Sequence, residues 1–303
     1  MQSIRSKIFI GLLLNRHIFR LKFKRPPFDP SPEGIERFRK LADNPGALFG
    51  GVPKGVTIEP FPVGDMYAEI MMPENERTEK IILYFHGGMY ICGSARGHRM
   101  HVAKFVTGTR AGALIFSYRL APEHPFPGAV DDSVSAYQAL LREGFKPENI
   151  RFAGDSAGGG LCLATLLAIR GQGLPLPAKA AVMSPWTDLK LTGDSYKKNA
   201  GKCLSPEGCA QYCSSFYTGD NDPENPLISP IYGNLEGLPP IRIYAGENEI
   251  LRDDSISFAK KAKKAGVDIS LTVEKGMCHC YPILSPLFPE AKKALSEILE
   301  FLS

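Results

Sequence analysis

The sequence predicts an α/β fold built on a mostly parallel, eight-stranded sheet flanked by helices. Short runs rich in β-branched and aromatic residues alternate with helical patterns along most of the 303 residues, and this alternation is typical of parallel strands joined by crossover helices. Two runs, Ile81–Phe85 and Ile241–Ala245, are mostly apolar, as strands covered on both faces require. The composition, 44% hydrophobic and 22% charged, excludes a disordered chain and a coiled coil.

The predicted elements follow one another along the chain in a simple order. The strands are Val56–Phe61, Tyr67–Met71, Ile81–Phe85, Leu114–Tyr118, Ile150–Ala153, Ala180–Met183, Ile241–Ala245 and Ile269–Val273. The helices are His98–Thr109, Ala129–Arg142, Gly158–Arg170, Asp254–Ala265 and Pro289–Leu302. Residues 188–227 interrupt the alternation. We therefore expect a core of residues 46–187 and 228–303, and a helical cap over the carboxyl edge of the sheet from residues 1–45 and 188–227.

The amino terminus is basic and apolar at once. Seven cations precede the first acidic residue, Asp29: Arg5, Lys7, Arg16, Arg20, Lys22, Lys24 and Arg25. The apolar residues between them predict amphipathic helix that packs on the protein's own core: Ile4, Ile8, Leu12, Phe19 and Phe23. A weak peripheral contact between residues 1–25 and anionic membrane is the alternative. A signal peptide fits less well, because no small-residue cleavage site follows the apolar run.

Several classes of function are excluded or disfavoured by composition. No apolar run approaches the roughly 20 residues that span a bilayer, and a net charge of +4 is too small to favour nucleic acid. The seven cysteines are odd in number and predict free thiols in a reducing, cytoplasmic compartment. Neither Cys203, Cys209 and Cys213 nor the Cys278–Cys280 run has the paired spacing of a structural zinc site, so we expect no metal.

A candidate nucleophile lies in the run Gly154-Asp155-Ser156-Ala157-Gly158. This G-x-S-x-G pattern stands between a predicted strand and a helix that starts with small residues. Such a tight strand-to-helix turn exposes the serine hydroxyl at the amino end of the helix, and its neighbours must be small. The context, more than the letters, predicts that Ser156 is a catalytic nucleophile.

A glycine loop upstream is suited to bind an oxyanion. His86-Gly87-Gly88-Met89-Tyr90 follows the buried strand Ile81–Phe85, and its backbone N–H groups can turn toward negative charge that develops beside the serine. We expect the N–H groups of Gly88, Met89 and Ala157 to donate there. His86 precedes the glycines, and we interpret it as an anchor of the loop.

The base and the acid are sought in later loops, because this type of site has the chain order Ser, acid, His. His279 lies between the last strand and the last helix and is the expected base. The acid comes from the loop after Ile241–Ala245. There Glu249 has the reach to orient an imidazole, whereas Asp253 and Asp254 are expected to cap the next helix. Asp253 remains the alternative.

These motifs together resemble the hormone-sensitive-lipase branch of the α/β-hydrolases over roughly residues 56–302. The runs that match are His86-Gly87-Gly88, Tyr118-Arg119-Leu120-Ala121-Pro122-Glu123, Gly154-Asp155-Ser156-Ala157-Gly158-Gly159 and Ser184-Pro185-Trp186-Thr187-Asp188-Leu189. The resemblance implies the α/β-hydrolase fold, esterase activity on short and medium acyl chains, no metal or organic cofactor, and a cap from the amino terminus and a later insertion. It places Met89 and Tyr90 at the substrate.

Two departures from the family pattern affect the site. Met89 stands where the family usually has a third glycine, which changes the wall of the acyl pocket but keeps a backbone N–H. Glu249 stands where the family usually has Asp. The motif with Glu at this position looks most like that of the monoterpene lactone hydrolases.

The leading hypothesis is therefore a serine carboxylesterase that acts on a small-molecule ester. A lactone hydrolase or a deacetylase would use the same triad. A long-chain lipase is a weaker alternative. A non-catalytic receptor, as in the plant gibberellin receptors, is disfavoured because His279 is present. A homodimer is a further expectation.

Overall fold

Eight strands form one sheet in the part of the chain that the computed structural model describes, residues 2–15, 27–42, 54–75 and 78–303. They are β1 Val56–Pro60, β2 Ala68–Pro73, β3 Ile81–Phe85, β4 Gly112–Phe116, β5 Ile150–Asp155, β6 Lys179–Met183, β7 Ile241–Gly246 and β8 Ile269–Glu274. Their order across the sheet is β1-β2-β4-β3-β5-β6-β7-β8. The pairs β1–β2 and β2–β4 are antiparallel and the others are parallel, which confirms the predicted sheet.

The helices are α1 Ile4–Leu14, α2 Pro32–Ala42, α3 Ala95–Thr109, α4 Gly128–Arg142, α5 Ala157–Gly171, α6 Ser195–Lys198, α7 Cys209–Thr218, α8 Arg252–Lys264 and α9 Pro289–Leu302. α3 begins three residues before its predicted start, because the Ser94 side chain accepts a hydrogen bond from the Gly97 N–H and caps the helix. Among the described residues no helix has the length and the apolar character needed to cross a membrane.

The sheet is covered on both faces, and β3 shows how. Ile81, Leu83 and Phe85 belong to the hydrophobic core on one face, and Ile82 and Tyr84 belong to the core on the other. This alternation is the two-residue period of a strand. α4, α5 and α8 cover the first face, whereas α3 and α9 cover the second. Because these strands are parallel, their carboxyl ends lie at one edge of the sheet, and the site lies at that edge.

The amino-terminal helix α1 packs on the protein's own core, as expected, but not by the predicted face. Ser6 and Ile10 are buried, whereas Ile4, Ile8 and Leu12 are exposed; Phe19 and Phe23 lie outside the described residues. The Ser3 and Ser6 hydroxyls donate to the Glu290 carboxylate of α9. These hydrogen bonds hold the Ser3 and Ser6 side of α1 against α9.

The segments that were expected to form an amino-terminal cap make different contacts. Phe28 packs on Tyr212 of α7, with ring centroids 6.1 Å apart, and its N–H donates to the Glu207 carbonyl. Arg39 of α2 donates to the carbonyl oxygens of Ile91 and Ala121. α1 packs instead against α9 on the side of the sheet. α1 and α2 therefore contact different parts of the described structure.

Candidate active site

Ser156 lies at the sharp turn between β5 and α5. Its backbone has φ 55° and ψ −124°, a strained conformation for a residue with a side chain. The turn requires close approach: a Cβ at Gly158 would lie 2.2 Å from the Phe85 carbonyl oxygen. The geometry presents the Ser156 hydroxyl at the amino end of α5, where helix N–H groups favour negative charge.

Three side chains from three loops form one hydrogen-bonded chain. His279 Nε2 lies 2.9 Å from Ser156 Oγ, and His279 Nδ1 lies 2.5 Å from Glu249 Oε2. Glu249 is completely buried, so its carboxylate is shielded from solvent and one of its oxygens faces the imidazole. The structure thus brings together all three residues that the sequence proposed, and the carboxylate at His279 is Glu249.

Asp253 and Asp254 are bound elsewhere, and the expectation that they cap α8 is wrong. The Asp253 carboxylate accepts from the Ser195 N–H at 2.8 Å. The Asp254 carboxylate accepts from the N–H groups of Thr187 and Asp188 at 3.0 and 2.9 Å. No side-chain bond caps the start of α8. Both acids therefore bind N–H groups of the segment that follows β6, and Asp253 also pairs with Arg252.

The glycine loop is held beside Ser156 by buried hydrogen bonds. The Asp155 carboxylate accepts from the Gly87 N–H at 3.1 Å, and the Tyr118 hydroxyl donates to the His86 carbonyl oxygen at 2.9 Å. Gly88 and Met89 both have positive φ, 130° and 56°. Within the described residues, the N–H groups of Gly88, Met89 and Ala157 have no hydrogen-bond acceptor.

His86 occupies a structural position next to this loop. Its ring stacks on Tyr118 with centroids 4.2 Å apart, and its Nδ1 lies 2.9 Å from the Gly87 carbonyl oxygen. Burial, with a smaller contribution from His98, lowers the pKa of His86 to about 3. The ring therefore stays neutral and cannot replace His279 as a base near neutral pH.

A cavity of about 270 Å³ opens in front of Ser156 and His279. Its walls are mostly apolar: Met89, Trp186, Ser205, Cys209, Ala210, Ile250 and Leu251. Met89 therefore lies where a substrate residue was expected. Tyr90 does not line this cavity, because it is 1% exposed and its ring stacks on Tyr217 at 3.7 Å. Burial raises the pKa of the Cys209 thiol to about 12, so this wall is uncharged.

Comparison with known proteins agrees with the fold. Residues 82–283 match a family described as alpha/beta hydrolase fold. The chain belongs to this α/β-hydrolase family. An acetyl-hydrolase of Streptomyces hygroscopicus is 38% identical over 273 residues, which cover 88% of this chain and 89% of the relative. An esterase of Acinetobacter venetianus is 36% identical over 265 residues, 87% of each chain.

Solved structures place this α/β-hydrolase more closely. A crystal structure of the esterase EstE5, soaked with p-nitrophenyl butyrate, has a TM-score of 0.89 at 37% identity and covers 99% of this chain and 98% of that one. An esterase from the bacterial hormone-sensitive lipase family has a TM-score of 0.87 at 35% identity and covers 100% and 98%. The expected family is confirmed, and the protein is a serine ester hydrolase of the carboxylesterase type.

Ser184 is a site residue of this hydrolase that the sequence analysis missed. Directly after β6, its hydroxyl donates to Glu249 Oε1 at 2.8 Å and accepts from the Cys280 N–H at 2.9 Å. The same Glu249 oxygen accepts from the Gly246 N–H at 2.6 Å. Ser184 therefore joins the acid to the loop that holds His279. The signal was present, since Ser184 opens the Ser184–Leu189 run that matches the family.

Over residues 2–15, 27–42, 54–75 and 78–303, no three His, Cys, Asp or Glu side chains are grouped so that they could hold a metal ion. None of the seven cysteines forms a disulfide.

Proposed function

We propose that this carboxylesterase cleaves short-to-medium acyl esters through an acyl-serine intermediate, with Ser156 as nucleophile, His279 as base and Glu249 as the acid that orients it. One observation carries the proposal: the chain of hydrogen bonds from Glu249 through His279 to Ser156 ends at the floor of the cavity. A serine alcohol is a weak nucleophile until an adjacent base takes its proton, and this chain supplies that base in the correct orientation.

The reaction has two halves. Ser156 Oγ attacks the ester carbonyl as its proton passes to His279 Nε2, and Glu249 stabilises the imidazolium through Nδ1–H. The N–H groups of Gly88, Met89 and Ala157 receive the oxyanion. The tetrahedral intermediate then collapses, and the leaving alcohol takes the proton from His279. Water repeats the sequence on the acyl-serine and releases the acid.

The lining of the cavity supports short acyl groups. Trp186, Ala210 and Leu251 form apolar walls that suit a hydrocarbon chain. The 38% identical relative is named an acetyl-hydrolase, which agrees with a small acyl group.

We further propose that the cap is formed by residues 27–42 together with 188–227, over a core of residues 46–187 and 228–303. The contacts of Phe28 with Tyr212 and Glu207 support this division. The lack of disulfides among the seven cysteines supports a reducing, cytoplasmic compartment.

A panel of p-nitrophenyl esters from acetate to palmitate tests the proposed substrate class. We expect kcat/KM to be highest for short and medium chains and to fall steeply for palmitate, because large side chains such as Trp186 and Leu251 line the space in front of Ser156. Equal activity on palmitate would contradict the proposal. A lactone and an acetyl amide belong in the same panel, since the proposed triad would attack either carbonyl. Ser133→Ala is the matched control for serine variants, because its buried hydroxyl bonds only to Ala129.

A further inference from the structure

Helix α1 presents an apolar stripe to the solvent. Ile4, Ile8 and Leu12 are 76%, 60% and 50% exposed, and their four-residue spacing places them on one side of the helix. Seven large hydrophobic side chains are exposed in the described residues, and these three are the only ones that share a helix face. An apolar surface concentrated in this way marks an interaction site more often than scattered residues do.

The opposite side of α1 is attached to the folded body. Ile10 is buried, the rings of Phe9 and Phe288 lie 6.0 Å apart, and Ser3 and Ser6 bond to Glu290. The helix is therefore held in place without using the exposed stripe. Its outer side remains available to a partner.

The charges around the stripe indicate which partner it fits. Arg5 and Lys7 are exposed, and at 3.6 residues per turn they flank the stripe on its two sides. The sequence continues with five more cations and has no acidic residue before Asp29. A second copy of the chain would bring these like charges together, whereas an anionic bilayer complements them. We propose that α1 is a membrane-surface helix that inserts Ile4, Ile8 and Leu12 into the interface of an anionic bilayer.

The attachment of α1 also determines what part of the enzyme would face the lipid. The Gln2 side-chain amide donates to the Gly276 carbonyl oxygen at 3.1 Å, and Gly276 lies three residues before His279. Ser3 bonds to Glu290 at the start of α9. Membrane contact through α1 therefore holds the edge of the sheet that contains the site close to the bilayer. The binding itself requires no catalysis, so it can be tested apart from the proposed function.

Vesicle flotation of the full-length protein tests the inference. We expect the wild type to float with phosphatidylglycerol–phosphatidylcholine vesicles at low salt, to be released as salt rises, and not to float with phosphatidylcholine alone. Ile8→Ser/Leu12→Ser should weaken binding by roughly tenfold or more, because two inserted side chains become polar. Arg5→Gln/Lys7→Gln should weaken it by about fivefold per cation and flatten the salt dependence.

Matched controls lie on α8. Ile256→Ser removes an exposed apolar side chain, and Lys263→Gln/Lys264→Gln removes two exposed cations; both variants should bind as the wild type does. The inference fails if the wild type ignores anionic vesicles at low salt or if the α1 variants float unchanged. It also fails if sedimentation shows a dimer that Ile8→Ser/Leu12→Ser dissociates, because the stripe would then join two copies. Should that apolar variant unfold, the Arg5→Gln/Lys7→Gln result decides.

Discussion

The Ser184 hydroxyl connects two parts of the active site, and its removal should slow catalysis more than it weakens binding. In Ser184→Ala, Glu249 loses one of its bonds and keeps those from Gly246 and His279. The Cys280 N–H loses its acceptor. A hydrogen bond to a charged group contributes about 1.5 to 3 kcal/mol, and a buried donor left unpaired costs about 1 to 3 kcal/mol.

Part of that free energy will be lost from catalysis through a less well positioned His279. Both lost bonds hold either the loop that contains His279 or the Glu249 carboxylate that orients it. Since about 1.4 kcal/mol corresponds to a tenfold change in rate, we expect kcat on p-nitrophenyl butyrate to fall by roughly 10- to 100-fold with KM nearly unchanged. The rest should appear as a decrease of about 1 to 2 kcal/mol in the free energy of unfolding, measured in urea.

A second substitution separates catalysis from folding. Ser184 has φ 48°, a conformation that glycine adopts without strain, so Ser184→Gly should be more stable than Ser184→Ala while losing the same activity. Ser133→Ala is the control for loss of a buried serine hydroxyl. A kcat for Ser184→Ala within about twofold of the wild type would refute the positioning role, as would activity regained in Ser184→Gly.

Three further predictions follow from the site and its surroundings. Glu249→Gln should lower kcat by about 10⁴-fold, whereas Asp253→Asn should change it little, since Asp253 bonds to the Ser195 N–H; the reverse ranking would transfer the acid to Asp253. Ala210→Phe should fill part of the cavity and move the ester preference toward acetate; an unchanged chain-length profile would place the acyl group elsewhere. Burial, and then Asp188, raise the pKa of Asp254 well above its usual 3.8. The stability that its protonated form provides is complete below the usual pKa and is lost as pH rises through the raised pKa. Urea unfolding should therefore show Asp254→Asn gaining stability relative to the wild type as the pH rises through the raised pKa. A gain in the relative stability of Asp254→Asn as the pH falls would contradict this prediction.

The parts of the site that the sequence predicted are those that local chemistry dictates. A serine at a strand-to-helix turn needs small neighbours, so Gly154–Gly158 identified Ser156 without knowledge of the fold. Chain order then restricted the base to the last loop, where His279 lies, and the acid to the loop before it. The eight strands were found for a similar reason, since the two-residue period and apolar runs such as Ile81–Phe85 are properties of short segments.

The features that sequence analysis missed depend on residues far apart in the chain. The rotation of α1 is set by Glu290, 287 residues after Ser3. Tyr90 is withdrawn from the cavity because Tyr217 of the later insertion stacks on it. The Ser184 hydroxyl donates to Glu249, which lies 65 residues further along the chain. None of these pairings leaves a periodic pattern in the sequence, and each becomes visible only in the folded chain.

Mass spectrometry of the acylated enzyme tests the central claim most directly. The protein is mixed with p-nitrophenyl butyrate, quenched in acid within one turnover and digested. We predict a butyryl adduct on the peptide that contains Ser156, together with a stoichiometric burst of p-nitrophenol, and loss of both in Ser156→Ala but not in Ser133→Ala. An adduct on a different residue, for example the cavity thiol of Cys209, or a burst that survives in Ser156→Ala, would contradict the assignment of Ser156 as the nucleophile.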